Sequence, residues 1–184
     1  MLARLAVELR DRKVLGRSVS MHHVLIGLGG NLPSRVGAPR ITLEAALAAL
    51  EDGGVRILKR SSWYTSAPVP ASDQPWYVNG VVSAETNLSP EAVLELLHSL
   101  ETAFGRVREE KNGARTLDLD LLAYGNMIQT DKNPLLPHPR LQERAFVMVP
   151  LAEIAPEWRH PALNRNAVEI LAAIPAGAEV LKPL

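Results

Sequence analysis

A chain that reads Arg115-Thr116-Leu117-Asp118-Leu119-Asp120-Leu121-Leu122 has few ways to fold at that point. Leu117, Leu119 and Leu121 alternate with Asp118 and Asp120, and a period of two predicts a half-buried strand. Residues i and i+2 of a strand share a side, so the leucines bury one face and both aspartates stand on the other. Two carboxylates that close repel each other and raise one pKa, unless a cation lies between them. An all-oxygen donor set suits a hard ion, and Mg²⁺ takes one or two carboxylates together with substrate phosphates. Just upstream, Arg106, Arg108, Lys111 and Arg115 supply the positive charge that clamps phosphate oxygens. The plainer alternative is an exposed strand face whose charges discourage edge pairing. Four flanking cations favour a metal-assisted phosphate site over it.

The rest of the chain bounds that reading. At 184 residues it is expected to form one domain over 21–184 with a sizeable core. Twenty basic and twenty acidic residues cancel, so no global field attracts nucleic acid or an anionic membrane, and affinity for anions must be local. The absence of cysteine excludes disulfides and thiolate metal sites. No apolar run approaches the roughly 20 residues that span a bilayer, and a soluble, cytoplasmic protein is the expectation. Residues 1–20 carry five basic residues among short apolar pairs, with Glu8 and Asp11 interrupting any secretory pattern. An amphipathic helix, a frayed tail and an upstream start ahead of Met21 all remain open for them, and a dispensable extension is the reading adopted.

Periodicity and punctuation give the order of elements. Val24–Leu28 predicts a buried strand, and residues 29–34 a loop. A helix follows from Pro39 to about Leu50, stopped by Gly53-Gly54. Val55–Tyr64 and Tyr77–Thr86 predict two further strands, joined by a proline-stiffened loop of a length that is often functional. Ser89-Pro90-Glu91 opens a second helix with Val93, Leu97, Leu100 and Phe104 on one face. After the Asp-Leu-Asp strand, Pro134–Pro139 reads as irregular, Leu141–Ala155 as partly helical, and Ala167–Ile174 as a short last helix. The order β-α-β-β-α-β predicts an α+β, ferredoxin-like sandwich, an antiparallel sheet with helices on one face.

Gly105-Arg106-Val107-Arg108, followed by Gly113-Ala114-Arg115-Thr116-Leu117-Asp118-Leu119-Asp120-Leu121-Leu122, resembles the signature of the 6-hydroxymethyl-7,8-dihydropterin pyrophosphokinases of folate biosynthesis. Further similarity runs from about Val24 to Trp158. The resemblance implies transfer of the β,γ-pyrophosphoryl group of ATP to the hydroxymethyl oxygen of a reduced pterin, with release of AMP. It implies that Asp118 and Asp120 hold two Mg²⁺ ions and that Arg106 and Arg115 serve catalysis beside them. Ser66, Val69, Tyr77, Asn79 and Phe146 fall on pterin-contacting positions, with Tyr77 and Phe146 expected to sandwich the ring. Ser66 and Val69 stand where threonine and leucine are usual. Glu101, Arg108, Arg115, His138 and Arg144 fall on ATP-binding positions, as does His98, where glutamine is usual. The implied partners are ATP and the pterin alone, with a monomer expected, and with neither nucleic acid nor membrane.

The sequence also departs from that pattern. The segment between Arg108 and Arg115 is one residue shorter than the family form, and Asn112-Gly113-Ala114 stands where Trp-Gly-Pro is common. Lys132 is the nearest cation to Asn133, where the family often has arginine. Two rival readings are a ferredoxin-like binding module and a two-metal phosphodiesterase. An RNA-binding sheet wants stacking aromatics and a basic surface, and this chain has eight aromatic residues and no net charge. A phosphodiesterase wants more carboxylate or histidine ligands than this cluster offers.

Overall fold

A computed structural model describes residues 20–106, 113–175 and 181–184. The extension expected over 1–20 therefore lies outside the described residues, apart from Ser20.

Strand β1 (His22–Gly30) is the spine of the sheet. It pairs antiparallel with β4 (Tyr77–Thr86) on one side and with β5 (Asp118–Tyr124) on the other. Helix α1 (Pro39–Asp52) leads to β2 (Val55–Arg60), which pairs with the far edge of β4. Helix α2 (Pro90–Ala103) connects β4 to β5, and the side chain of Ser89 caps it by accepting from the N–H of Ala92. The order β5-β1-β4-β2 is the ferredoxin-like arrangement expected from the order of elements. Two short strands extend it to six. β3 (Tyr64–Ser66) continues along the same edge of β4, and β6 (Leu181–Pro183) pairs outside β3. A 3-10 turn (Leu141–Glu143), helix α3 (Ala145–Ile154) and helix α4 (Ala167–Leu171) complete the chain.

Three expectations change. The run Val55–Tyr64 is two strands, because Trp63 turns inward and its ring lies over Gly80, where a Cβ would sit 2.6 Å from it. Ser61 leaves the pleat with it, and its hydroxyl accepts from the N–H of Val81. Gly29 and Gly30 belong to β1 and not to a loop. Most importantly, the helices cover both faces of the sheet. On one face Val24, Ile26, Leu28, Val82, Leu119 and Leu121 pack with α1 and α2 through Leu43, Leu50, Val93, Leu97 and Leu100. On the other, Leu25, Val81 and Leu122 pack against Val147, Met148 and Leu151 of α3 and Ile170 of α4. The odd-numbered half of β1 and β4 is apolar only near Leu25 and Val81, so the second core covers one end of that face. The other end, carrying Gly27, Gly29, Asn79 and the two aspartates, is left for a site.

A β-bulge makes that division possible. Leu25 pairs with Ala123 but Ile26 pairs with Leu121, leaving Leu122 as the extra residue. Leu122 joins the second core, and its carbonyl accepts the N–H of His138 at 2.8 Å. The bulge thus docks the 133–139 segment beside the aspartates.

At the end of β1, the N–H groups of Asn31 and Leu32 both donate to the carbonyl of Arg115, at 2.9 and 3.1 Å. Gly30 permits this approach, since a Cβ there would lie 2.6 Å from the Thr116 carbonyl oxygen. Backbone cannot yield as a flexible side chain does. Gly30→Ala should therefore cost about 1–3 kcal/mol, a fall of several degrees in melting temperature, and should displace Arg115. Thermal unfolding of the purified variant checks this.

Candidate active site

The register of β5 against β1 sets Asp118 opposite Gly29 and Asp120 opposite Gly27. Two glycines facing two aspartates leave open ground on that face. A narrow recess of about 30 Å³ lies there, walled by Gly27, Gly29, Asn79, Asp118, Asp120, Leu122, Phe146 and Val147. It admits about one or two waters, so a bicyclic ligand enters only if the wall moves. Phe146, in the first turn of α3, is the large side chain there that no strand holds.

Asn79 comes from the paired stretch of β4, opposite Gly29, and is 5% exposed. Its Nδ2 donates to the hydroxyl of Ser66 on the neighbouring β3 at 2.8 Å, which orients the amide and leaves its oxygen toward Gly29. The structure thus brings Ser66, Asn79 and Phe146 together. Tyr77 shares the face of Asn79 but stands outside the recess wall, its hydroxyl within donating distance, 3.2 Å, of either Gln74 Oε1 or the Gly113 carbonyl. Val69 lies in the loop before β4 and is half exposed. Of the two rings expected to sandwich the pterin, Phe146 lines the recess and Tyr77 does not.

A larger cavity of about 430 Å³ lies on the outer side of β5. Its walls are Leu94, His98 and Glu101 of α2, then Arg106, then Asp118–Leu121, then Asn133, Pro134, Leu135, His138 and Pro139. This volume is in the range of small-molecule sites, and one end is apolar while the other holds the charges. Asp118 and Asp120 line both cavities. They stand at the junction between a nucleotide-sized space and the Asn79 recess.

The charges at the junction are paired. Arg106 bridges the carboxylates of Glu101 and Asp118. Arg115 reaches the other Asp118 oxygen at 3.0 Å. Arg144 lies 3.7 Å from Asp120 and 5.5 Å from the centre of the Phe146 ring, a cation–π contact. Compensation of Asp120 is incomplete: burial first, and then the charge of Asp118, push its carboxyl up to about 6. His138 moves the other way, down to about 4, because burial and the neighbouring Arg144 and Arg140 disfavour its cation. Its Nδ1 accepts from the N–H of Arg140 at 3.2 Å, which assigns the proton to Nε2. His138 is therefore a neutral donor.

The donor set fits a hard divalent ion. Among the described residues no group of three or more histidine, cysteine or acidic side chains converges. Two carboxylates on one face, one of them left under-compensated, suit Mg²⁺ that draws its other oxygens from phosphate and water.

Arg108, expected at the nucleotide, lies outside the described residues, as do residues 109–112 of the shortened loop. One residue escaped the sequence reading. Asn31 is 3% exposed. Its Oδ1 accepts the N–H of Arg115 at 2.8 Å, and its Nδ2 donates to the Pro75 carbonyl at 3.0 Å. It joins the end of β1 to Arg115 and to the loop before β4. The only local signal was an asparagine directly after Gly-Gly, which is also an ordinary turn pattern.

Both the sequence and the fold of the chain are similar to those of known proteins. The family model described as 7,8-dihydro-6-hydroxymethylpterin-pyrophosphokinase (HPPK) matches residues 25–156. A 2-amino-4-hydroxy-6-hydroxymethyldihydropteridine pyrophosphokinase of Synechocystis sp. is 41% identical over 151 residues, covering 82% of this chain and 75% of the relative. The protein of the same description from Pseudomonas aeruginosa is also 41% identical, with 84% of this chain and 93% of the relative covered. Among solved structures, a Plasmodium falciparum HPPK-DHPS chain crystallised with pteroate superposes with a TM-score of 0.65 at 13% identity. That match covers 88% of this chain but 44% of the solved one, so it speaks for the fold alone, and this chain spans less than half of that bifunctional protein.

The raised carboxyl of Asp120 has a consequence for the ligand-free protein. A group whose pKa is higher folded than unfolded contributes its full stability below the unfolded value, here 3.8, and loses it as pH rises through about 6. Asp120 is 37% exposed at its side chain, so solvent screening makes the effect modest. Asp120→Asn should raise the metal-free melting temperature at pH 7 by about 1–3 °C, and the gain should vanish below pH 4. Melting curves across that range check both parts.

Proposed function

Because the chain belongs to the 7,8-dihydro-6-hydroxymethylpterin-pyrophosphokinase family, ATP-dependent diphosphotransferases of folate synthesis, we propose that Asp118 and Asp120 hold two Mg²⁺ ions between ATP in the large cavity and the pterin in the Asn79 recess. The observation that carries this assignment is that both aspartates line both cavities. An acceptor held by Asn79 and a triphosphate held from α2 to His138 meet at those two carboxylates and nowhere else among the described residues.

The reaction is displacement at the β-phosphorus. The hydroxymethyl oxygen of the pterin forms a bond to it, and the bond to the oxygen bridging the α- and β-phosphates breaks. AMP leaves with the bond electrons, and the hydroxyl proton passes to solvent. When bound, Mg²⁺ supplies neutralisation of the phosphate charge and acidifies the attacking hydroxyl.

The side chains supply position and charge. Asn79, fixed by Ser66, offers a donor pair and an acceptor to the mixed polar edge of the pterin, and Phe146 covers the ring once it swings from the recess. Tyr77 and Val69 reach the pterin only if the loop before β4 closes. His138 donates its Nε2–H to a phosphate oxygen without adding charge. Arg106 and Arg115 turn from Asp118 to the triphosphate and stabilise the charge that develops on departing AMP. Arg144 turns from Asp120 in the same way, and Arg108 is assigned to the nucleotide with it. His98 and Glu101 line the nucleotide end. No side chain acts as a covalent nucleophile; the chemistry is positioning and electrostatics. A single domain over 21–184, a monomeric state and a cytoplasmic site of action complete the proposal.

Incubation with MgATP and 6-hydroxymethyl-7,8-dihydropterin should yield AMP and the pterin diphosphate in equal amounts. ADP as the nucleotide product, or hydrolysis without pterin, would overturn the assignment. Asp118→Ala and Asp120→Ala should each lower kcat by roughly a hundredfold or more, since charge stabilisation of several kcal/mol is removed, while circular dichroism stays native.

Asn79→Ala should weaken pterin binding by roughly 1–3 kcal/mol, the cost of a buried polar edge left unpaired, and leave binding of a non-hydrolysable ATP analogue near that of wild type. Calorimetric titration of each ligand separates the two. Equal losses for both would place Asn79 outside the pterin site.

A further inference from the structure

Glu101 occupies a position that helix packing alone would give to leucine. It follows Leu100 and lies four residues after Leu97, on the buried side of α2, and is 2% exposed. A buried ion pair is generally no more stable than well-packed apolar residues in its place, so stability does not explain a carboxylate there. Its contacts do. Oε1 accepts the N–H of Leu119, the residue between the two aspartates, at 2.9 Å, and it also pairs with Arg106. The same Arg106 Nη1 pairs with Asp118. One guanidinium nitrogen is thus shared between a carboxylate on the helix and one on the strand.

We infer that Glu101 is a positioning residue for the metal site. It pins the backbone between Asp118 and Asp120, and it gives Arg106 a permanent partner, so that Asp118 is released to a cation without Arg106 leaving the site. This role rests on the reading of Asp118 as a metal ligand. It differs from direct contact with ATP, because Glu101 acts through Arg106 and the strand. Without the Glu101 charge, Asp118 is the carboxylate left to Arg106 among the described residues, and Arg106 competes with Mg²⁺ for it.

The test is calorimetric binding of α,β-methylene ATP to the full chain at increasing Mg²⁺, beside thermal melting without ligand. In Glu101→Gln the amide oxygen still accepts from Leu119, so the melting temperature should change by no more than a few degrees. The Mg²⁺ concentration for half-maximal analogue binding should rise on the order of fivefold, the size of one partly screened charge pair. Glu101→Asp, which keeps the charge, should stay within about twofold of wild type on the same scale. In an Arg106→Gln background, adding Glu101→Gln should raise the Mg²⁺ requirement no further, because the competitor is gone. An unchanged Mg²⁺ requirement in Glu101→Gln, or a full additional shift in the double variant, overturns the inference. Failure of the underlying reading looks different: the wild-type protein itself would then bind the analogue without regard to Mg²⁺.

Discussion

Two carboxylates on one face of a strand repel each other, and the site is arranged around answering that repulsion. Three arginines come to it from three directions. Arg106 arrives just past the end of α2, Arg115 from the segment clamped to the end of β1, and Arg144 from the residue before α3. Each is held by contacts outside the pair it neutralises. Arg106 has Glu101, Arg115 donates its Nε–H to the Gly113 carbonyl, and Arg144 lies over Phe146. A surface ion pair in water would be worth little. Here the partners are 15–27% exposed around Asp118, and loss of one side leaves a partly buried charge without its mate. Elements far apart in the chain are thereby tied to β5.

The sheet gives those charges a place by leaving other side chains out. Gly27 and Gly29 face the aspartates across the β1–β5 pair, so no β1 side chain fills the ground above them. The bulge at Leu122 then ends the polar half of the strand and starts an apolar one. Within a few residues the same face changes from a polar surface to a core packed on α3. That helix carries Phe146 at its near end, which makes the wall of the recess and the packing of the second core parts of one element.

Much of this is legible in the sequence. The alternation 117–121 has one solution as a strand, and β5 falls where it says. Ser89-Pro90 and the apolar spacing behind it define α2, and Tyr77–Thr86 is β4 to the residue. What escaped depended on partners distant in sequence. β6 is three residues long and forms by pairing with β3. The break at Trp63 follows from a gap above Gly80, in a strand well downstream in the chain. The second layer of helices could be inferred only by noticing that Leu25, Val81 and Leu122 need cover on the face opposite α1 and α2. Asn31 resembles a turn residue until the loop before β4 and Arg115 are both placed against it. Tyr77 shows the converse case: the strand periodicity puts it on the face of Asn79, while hydrogen bonding by its hydroxyl draws it toward Gln74 and Gly113.

On the proposed assignment the charges also give a reason for nucleotide and metal to bind together. Among the described residues Glu101, Asp118 and Asp120 carry three negative charges, and Arg106, Arg115 and Arg144 carry three positive ones. The network is close to neutral when no ligand is bound. A metal-free triphosphate could recruit the arginines only by drawing them from the aspartates, which would leave two carboxylates facing each other and facing phosphate. A divalent ion alone would have to displace guanidiniums that then have no anion to go to. Under the proposed assignment both exchanges would occur together when metal arrives with the triphosphate, the carboxylates taking the cation and the arginines the phosphate oxygens. Every group keeps a partner of opposite sign throughout. On that assignment selectivity for the metal–nucleotide complex follows from charge balance, since among the described residues no group of three or more metal-ligating side chains converges.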